Sequence, residues 1–343
     1  MVMMPKPDYT NSIANLMSSI VDSFGVESTY QKLSGLDWID EKENVVLLVL
    51  DGIGYEYLKE NGKDTVFYEN LKRKITSVFP SSTPSAVTTF MTGLPPQQHG
   101  VTGWYTYLKE LGIVSTILPF KPRYGKTTFT EDDVKVESIL SDVSLVKKIE
   151  DKKYFVTRNK IKDSAFNCFY TPNIDVRGYE KTEGMFDEIQ NIIEDDDGRK
   201  YIYGYWNNYD SAAHENGFDS VDSWMELLRI DRNLKDFVEE IKDTDTALLI
   251  TSDHGFIDTT KDKAIRLEDH PEFADCLTLP LCGDYRTLFC YVHPDRTDKF
   301  EDYWQAELSD RCDLYKSKEL VEEGYFGPFE PSTKFLDRIG DYI

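Results

Sequence analysis

The sequence lacks several features that would place a protein in a specialised class. It has no pair of cysteines at CxxC spacing and no run of 18 apolar residues, and its cysteines number only five, an odd set. These absences argue against a zinc ribbon, a disulfide framework and a membrane-spanning helix. Because the first residues also contain no apolar stretch of signal-peptide length, we expect a cytoplasmic protein without a membrane partner.

Positive charge is scarce as well, with 39 Lys+Arg against 62 Asp+Glu and a formal net charge of −23. Nucleic acids and anionic membranes attract basic surfaces, so neither is an expected partner. The 343 residues, 40% of them hydrophobic, suffice for one large domain or for one domain with an insertion. Such a core folds without a structural metal, so we expect any bound metal to serve chemistry.

Three apolar runs predict buried strands of a parallel sheet. They are NVVLLVL at 44–50, KYIYGYW at 200–206 and TALLIT at 246–251. A strand that is apolar on both faces suits the centre of a sheet covered by helices. Helical patterns lie between the runs, as in 221–241, where apolar residues recur every three or four positions. The predicted fold class is an α/β sandwich.

The pattern loosens between residues 105 and 198 into charged and aromatic stretches such as KPRYGKTTFTEDD. We interpret 105–198 as an inserted cap or lid. Residues 1–104 and 199–343 would then form the metal-binding catalytic core, and the choice of substrate would depend on the insertion.

Acids and histidines follow the predicted strands. In an open α/β sheet functional groups gather beyond the carboxyl ends of the strands, so Asp51, Asp210 and Asp253 would share one rim. His214 lies four residues after Asp210, which puts both side chains on one side of a helical turn, and His254 directly follows Asp253. Carboxylates and imidazoles are ligands that zinc and manganese accept.

Together these motifs resemble those of the alkaline phosphatase superfamily, most closely its nucleotide pyrophosphatase/phosphodiesterase branch. The resemblance covers about residues 44–270 outside the insertion, and it implies an alkaline-phosphatase-like α/β/α sandwich with a mostly parallel central sheet. It also implies two adjacent divalent metal ions, zinc or manganese. The first ion would be held by Asp51, Asp253, His254 and the nucleophile, and the second by Asp210, His214 and one further histidine.

The nucleophile is expected in FPSSTPSAVTTFMTG, residues 79–93. Thr83-Pro84 has the pattern of an N-cap followed by the first helical residue, and a helix N-terminus favours a phosphoryl oxygen. In the family the nucleophile lies nine residues before the threonine of a Thr-Gly pair, and Thr92-Gly93 then selects Thr83. Alignment on the proline two residues after the nucleophile selects Ser82 instead.

The remaining positions include departures from the family. His270 is taken as the further histidine, because the phosphoglycerate mutase branch places this ligand shortly after Asp-His-Gly, and His293 is the alternative. His99 is interpreted as a turn residue. Trp104 stands where the diesterase branch has an asparagine that hydrogen-bonds the phosphoryl group, and Ala86 stands where the sulfatase signature has an arginine.

The resemblance implies a metal-dependent hydrolase of small-molecule phosphate esters, foremost a phosphodiesterase or nucleotide pyrophosphatase. It would work through a covalent phosphothreonine on Thr83 between the two metal ions. A phosphomonoesterase, a phosphonate hydrolase and a phosphomutase are alternatives on the same scaffold. A sulfatase and a non-catalytic metal-binding protein are the weaker ones.

Overall fold

The computed structural model describes residues 5–195, 197–257, 259–260 and 263–343. In this part of the chain ten strands form two sheets of five strands each. The strands are β1 Asn44–Leu50, β2 Tyr105–Leu108, β3 Ile113–Thr116, β4 Lys121–Pro122, β5 Lys152–Arg158, β6 Asp175–Tyr179, β7 Lys200–Trp206, β8 Thr246–Thr251, β9 Cys282–Gly283 and β10 Leu288–Phe289.

The helices lie between and around the strands. They are α1 Ile13–Ser23, α2 Tyr55–Asn61, α3 Val66–Glu69, α4 Thr83–Thr92, α5 Pro96–His99, α6 Val136–Ile139, α7 Asn159–Lys162, α8 Ala165–Tyr170, α9 Thr182–Asp195, α10 Asn208–Asn216, α11 Val221–Ile241, α12 Pro271–Ala274, α13 Thr297–Glu307, α14 Ser317–Glu322 and α15 Thr333–Leu336. None of the helices in the described ranges has both the length and the apolar character needed to cross a bilayer.

The central sheet has the strand order β6-β5-β7-β1-β8, and every neighbouring pair is parallel. All seven residues of β1 are buried, as its unbroken apolar run predicts. Leu50 pairs with Trp206 and Val49 with Thr251, so β7, β1 and β8 end at nearly the same level. The carboxyl ends of the three predicted strands therefore meet at one edge of the sheet.

Alternate side chains of β1 enter two separate cores. Val45, Leu47 and Val49 pack in a cluster that includes residues of α1 and α4. The intervening positions, Val46, Leu48 and Leu50, pack in a second cluster with residues of α9 and α11. Burying one such side chain stabilises the fold by about 1.5–3 kcal/mol. Helices thus cover both faces of the sheet, which confirms the predicted α/β/α sandwich.

Part of the segment predicted as an inserted cap belongs to this sandwich. Strand β5 pairs with β7 from Lys152↔Lys200 to Val156↔Gly204, and β6 pairs with β5 at the edge. The predicted boundaries are therefore corrected, because residues 152–195 supply two strands and a helix of the core. The sequence pattern did not reveal these strands, since they lie towards the edge of the sheet and carry lysine, arginine and aspartate at half-buried or exposed positions.

The second sheet is antiparallel, with the order β10-β9-β2-β3-β4. It joins residues 105–122 of the predicted cap to a hairpin from the last third of the chain. Tyr105 pairs with Thr116 on one side and with Gly283 on the other. This sheet therefore brings the residues that follow β9 next to those that precede β2.

Candidate metal centre and active site

The predicted acids come together at the carboxyl ends of three adjacent strands. Asp51 directly follows β1, Asp253 follows β8, and Asp210 lies in the first turn of α10, just after β7. The N–H of Asp51 donates to the carbonyl of Trp206 at 2.8 Å, which extends the pairing of β1 and β7 into the loop. Because β1 lies between β7 and β8, the three loops converge on one point.

Asp51, Asp253 and His254 form the most compact group, with one candidate ligand atom from each residue lying within 4.8 Å of the others. His254 Nε2 is 3.3 Å from Asp51 Oδ1 and 3.5 Å from Asp253 Oδ2. Both aspartates are buried, with 1% and 0% of their surface exposed. Carboxylate oxygen and imidazole nitrogen at this spacing are a donor set that fits zinc or manganese.

Three carboxylate oxygens in the site are buried without a hydrogen bond, namely Asp51 Oδ1, Asp210 Oδ1 and Asp253 Oδ2. The other oxygens of the buried pair are satisfied: Asp51 Oδ2 accepts from the Tyr205 hydroxyl, and Asp253 Oδ1 accepts from backbone N–H groups at 2.8 and 3.0 Å. The three remaining oxygens all lie 3.3–3.9 Å from His254 Nε2. A buried carboxylate without a partner is costly, so these residues suit a cation.

Crowding of like charges shifts the pKa values of the group. Burial and the neighbouring Asp51 carboxylate raise the pKa of Asp253 well above its ordinary value. Burial also acts to raise the pKa of Asp51, but the nearby His254 ring outweighs it and holds that pKa below the usual range. For His254, burial acts downward, while Asp253, Asp51 and Asp210 prevail and raise its pKa to about 10. Positive charge is thus strongly favoured here.

Asp210 and His214 lie one turn apart on α10, as their spacing predicts. His214 Nε2 is 3.3 Å from Asp210 Oδ1, and the proximity of this carboxylate raises the pKa of His214. The same Asp210 oxygen is 3.9 Å from His254 Nε2, and the rings of His214 and His254 both pack edge-on against Phe256. The structure therefore brings the two predicted Asp/His pairs into one site.

Thr83 lies next to this site. Its Oγ1 is 3.0 Å from His254 Nε2. Helix α4 begins at Thr83 itself, with Ser82 as the N-cap in extended conformation and the Ser82 carbonyl accepting from Ala86 N–H at 3.0 Å. The expectation that Thr83 is the N-cap is therefore corrected by one residue. The positive end of the α4 dipole still points at the position of the reacting group.

Ser82, the alternative nucleophile, has a different environment. Its hydroxyl oxygen is buried and has no hydrogen-bond partner, and the short contact with His254 belongs to Thr83. Of the two candidates, the structure places Thr83 against the histidine of the cluster.

Among the described residues, the compact group of candidate ligands includes neither candidate for the last metal ligand. His270 is half buried, and its Nδ1 is 3.0 Å from the Tyr303 hydroxyl. Among the described residues no ion pair joins His270 to Asp210. The backbone N–H of His293 donates to the carbonyl of Cys276 at 2.9 Å. The last ligand accordingly stays a prediction.

His99 is fully buried at the end of α5. Its Nδ1 accepts from Val101 N–H at 3.0 Å, and its Nε2 is 3.3 Å from Thr89 Oγ1. Burial lowers the pKa of His99 to about 3. These contacts tie the turn to α4 and give His99 a structural position.

Two residues that orient the cluster escaped the sequence analysis. Tyr205 donates a hydrogen bond to Asp51. In the sequence, the alternation of tyrosines in KYIYGYW predicts that Tyr203 and Tyr205 share one face of the strand, but it does not indicate which of them contacts an acid. Gly52 has φ +81, and an added Cβ would lie 2.5 Å from the Phe256 ring. A side chain at position 52 would therefore strain the turn that carries Asp51.

The sandwich and its Asp/His cluster suit a phosphoester hydrolase, which is the class to which the family comparison assigns this chain. The chain belongs to the type I phosphodiesterase / nucleotide pyrophosphatase family, whose sequence model matches residues 45–326. A search of curated protein sequences finds no match.

Solved structures share the fold. Murine ectonucleotide pyrophosphatase / phosphodiesterase 5 superposes with a TM-score of 0.64 at 17% identity, covering 88% of this chain and 78% of that chain. A phosphonoacetate hydrolase from Sinorhizobium meliloti 1021 gives a TM-score of 0.56 at 17% identity, with 88% and 80% covered. The alkaline phosphatase PafA gives 0.52 at 15% identity, with 88% and 84% covered. At such identities the similarity establishes the fold alone.

Proposed function

We propose that this protein is a metal-dependent phosphodiesterase or nucleotide pyrophosphatase acting on small-molecule phosphate esters, with Thr83 as its nucleophile. One observation carries the proposal: Thr83 Oγ1 is 3.0 Å from His254 Nε2, the atom on which three unpartnered carboxylate oxygens converge. A hydroxyl held at a helix N-terminus beside a site for cations is the arrangement that phosphoryl transfer requires.

Asp51, Asp253, His254 and Thr83 would hold one divalent ion, and Asp210, His214 and His270 a second. We propose zinc, with manganese as the alternative. When bound, such ions neutralise the charge that develops on the phosphoryl oxygens and lower the pKa of a coordinated hydroxyl or water. His270 would bind through Nε2, because its Nδ1 already lies 3.0 Å from the Tyr303 hydroxyl, and a metal-bound imidazole commonly forms a hydrogen bond through its other nitrogen.

The residues of the chain then divide the reaction between them. Thr83 Oγ1 gives its proton to water and bonds to phosphorus as the bond to the leaving oxygen breaks, which produces a phosphothreonine and a leaving group that takes up a proton from water. Water subsequently cleaves this intermediate, releases phosphate or a phosphate monoester and restores the hydroxyl. Tyr205 and the backbone N–H groups around Asp253 keep the carboxylates oriented throughout.

A nucleotide is the first substrate class to test. An inactive threonine-to-alanine variant of murine ectonucleotide pyrophosphatase / phosphodiesterase 5 has been solved in complex with AMP, and it superposes on this chain with a TM-score of 0.63. This supports assays with dinucleotide polyphosphates and with bis-p-nitrophenyl phosphate. Activity on p-nitrophenyl phosphate instead would favour the phosphomonoesterase alternative.

The role of Thr83 is tested with zinc-loaded protein. We expect Thr83→Ala to lower turnover of bis-p-nitrophenyl phosphate by at least about 10³-fold with little change in metal content. Thr83→Ser, which keeps a hydroxyl, serves as the matched control and should retain measurable turnover. Substantial activity in metal-loaded Thr83→Ala would refute the role.

A further inference from the structure

Asp284 borders the active site from the second sheet. It follows β9, and its Oδ1 accepts a hydrogen bond from Trp104 N–H at 3.1 Å. Its Oδ2 lies so close to Gly103 that an added Cβ there would be only 2.7 Å away. The pairing of Gly283 with Tyr105 fixes the two backbone segments. The backbone thus holds this carboxylate in place, and the glycine at 103 makes room for it.

The free oxygen of Asp284 lies beside the start of α4. Asp284 Oδ2 and Ser82 Oγ are both buried and form no hydrogen bond, although the Ser82 hydroxyl is near enough to influence the carboxyl. Burial raises the pKa of Asp284, while the Ser82 hydroxyl, Trp104 N–H and the charge of His254 act in the opposite direction. Ser82 immediately precedes Thr83, and the charge of His254 reaches Asp284, so Asp284 lies beside the active site.

The electrostatic setting of this carboxylate is unusual for a phosphate site. In the described ranges the ion-pair partners of Asp51, Asp210 and Asp253 are His254 and His214, and none is a lysine or an arginine. A phosphoryl group close enough for attack by Thr83, about 3–3.5 Å away, would therefore lie near Asp284 with His254, and no lysine or arginine, among those ion-pair contacts. At neutral pH a phosphate monoester carries about one negative charge more than a diester.

We propose, on the basis of the function proposed above, that Asp284 is a specificity-determining residue that disfavours doubly charged phosphate monoesters relative to singly charged diesters. Its free oxygen can also accept a hydrogen bond from a hydroxyl or amino group on the second ester substituent, which a diester has and a monoester lacks. A buried acceptor without a partner gains most from such a donor.

The test compares two esters in zinc-loaded protein at about pH 8, where the monoester is fully dianionic. Asp284→Asn keeps the shape and the acceptor for Trp104 N–H but removes the charge. We expect the ratio of kcat/KM for p-nitrophenyl phosphate to kcat/KM for bis-p-nitrophenyl phosphate to rise on the order of tenfold, because one unit charge no longer faces the additional charge of the monoester. Inhibition by inorganic phosphate should strengthen by a similar factor.

Controls separate this effect from others. Asp295→Asn removes the same charge from an exposed turn and should leave both the ratio and the phosphate inhibition unchanged. Asp284→Ser supplies a second neutral variant if Asp284→Asn folds poorly. An unchanged ratio, or an equal loss on both esters, in a folded variant overturns the proposal for Asp284. Absence of turnover on both esters in metal-loaded wild type would instead overturn the proposed function.

Discussion

The hydroxyl of Tyr205 donates to Asp51 Oδ2, whereas the hydroxyl of Tyr203, on the same face of β7, has no hydrogen-bond partner. Both side chains are buried. The two residues therefore differ in one respect that matters for the cluster: only Tyr205 fixes the orientation of the carboxylate whose other oxygen faces His254.

Tyr205→Phe should weaken zinc binding about 10–100-fold, as expected when a residue that orients a metal ligand is removed. The measurement is a competition titration against a chelator of known affinity. Tyr203→Phe is the matched control, because it deletes a buried hydroxyl from the same strand without touching Asp51, and its zinc affinity should stay within about twofold of wild type. Equal losses in both variants would show that strand packing, and not the hydrogen bond, governs affinity.

The substitution Asp253→Asn should reduce the stabilisation that zinc gives the protein. Burial and the neighbouring Asp51 carboxylate raise the pKa of Asp253 well above its ordinary value, so the charged form of Asp253 is unfavourable in the folded protein. Without metal, the Asp253→Asn variant should therefore be at least as stable as wild type. With zinc at 1,000 times its Kd, wild type should gain about 4 kcal/mol, and the variant much less. Melting temperatures across a zinc series test this. A variant that gains as much as wild type contradicts the assignment of Asp253 as a ligand.

His99 should make the fold sensitive to acid. Its pKa of about 3 in the folded protein lies below the ordinary value of 6.5, so between these pH values the unfolded chain binds a proton that the folded chain does not. Stability is thus lost as the pH falls through this window, by about 2.5 kcal/mol at pH 4.5. Between pH 7 and pH 4.5, the free energy of unfolding of His99→Gln, measured with urea, should fall by about 2.5 kcal/mol less than that of wild type. Identical losses in the two proteins would disprove the effect.

Arg338 should be among the most sensitive positions for stability. Its guanidinium is fully buried, donates to the carbonyls of Gly100 and Ile139 at 2.8 and 2.7 Å, and pairs with Glu110 at 3.1 Å. We expect Arg338→Leu to lower the free energy of unfolding by about 3–5 kcal/mol, since it leaves these acceptors without a donor. Glu110→Gln should cost much less, because its side chain is partly exposed. Urea titration measures the free energy of unfolding of both variants. Similar losses would show that the ion pair between Arg338 and Glu110, and not the hydrogen bonds to the two carbonyls, accounts for the loss.

The sequence predicted those parts of the site that follow strongly patterned strands. Asp51 comes directly after one largely apolar run and Asp253 two residues after another. Asp210 and His214 share one helical turn, so local rules were enough to group these residues. Strands β5 and β6, the outer pair on one side of the sheet, escaped because their partial exposure allows charged residues that break the apolar pattern. Helix α4 was placed to within one residue by its proline and its terminal Gly93.

Other contacts depend on pairing between distant segments, which no local pattern specifies. The bond between Trp104 and Asp284 joins residues 180 positions apart through the second sheet. The contact of His270 with Tyr303 also depends on tertiary packing, because it forms where α12 lies near α13. A ligand in a loop cannot be assigned from its spacing alone, because the path of the loop is set by its packing.

The parallel pairing of β1 with β8 also bears on how the protein is made. More than half of the chain separates Asn44 from its partner Thr246. During synthesis, the backbone groups of β1 that pair with β8 therefore stay without a partner until β8 has been made. Sheets closed by such distant partners fold slowly and expose aggregation-prone surface in the meantime. We therefore expect a chain truncated before residue 251 to be insoluble. We also expect the nascent chain to depend on chaperones until β8 leaves the ribosome.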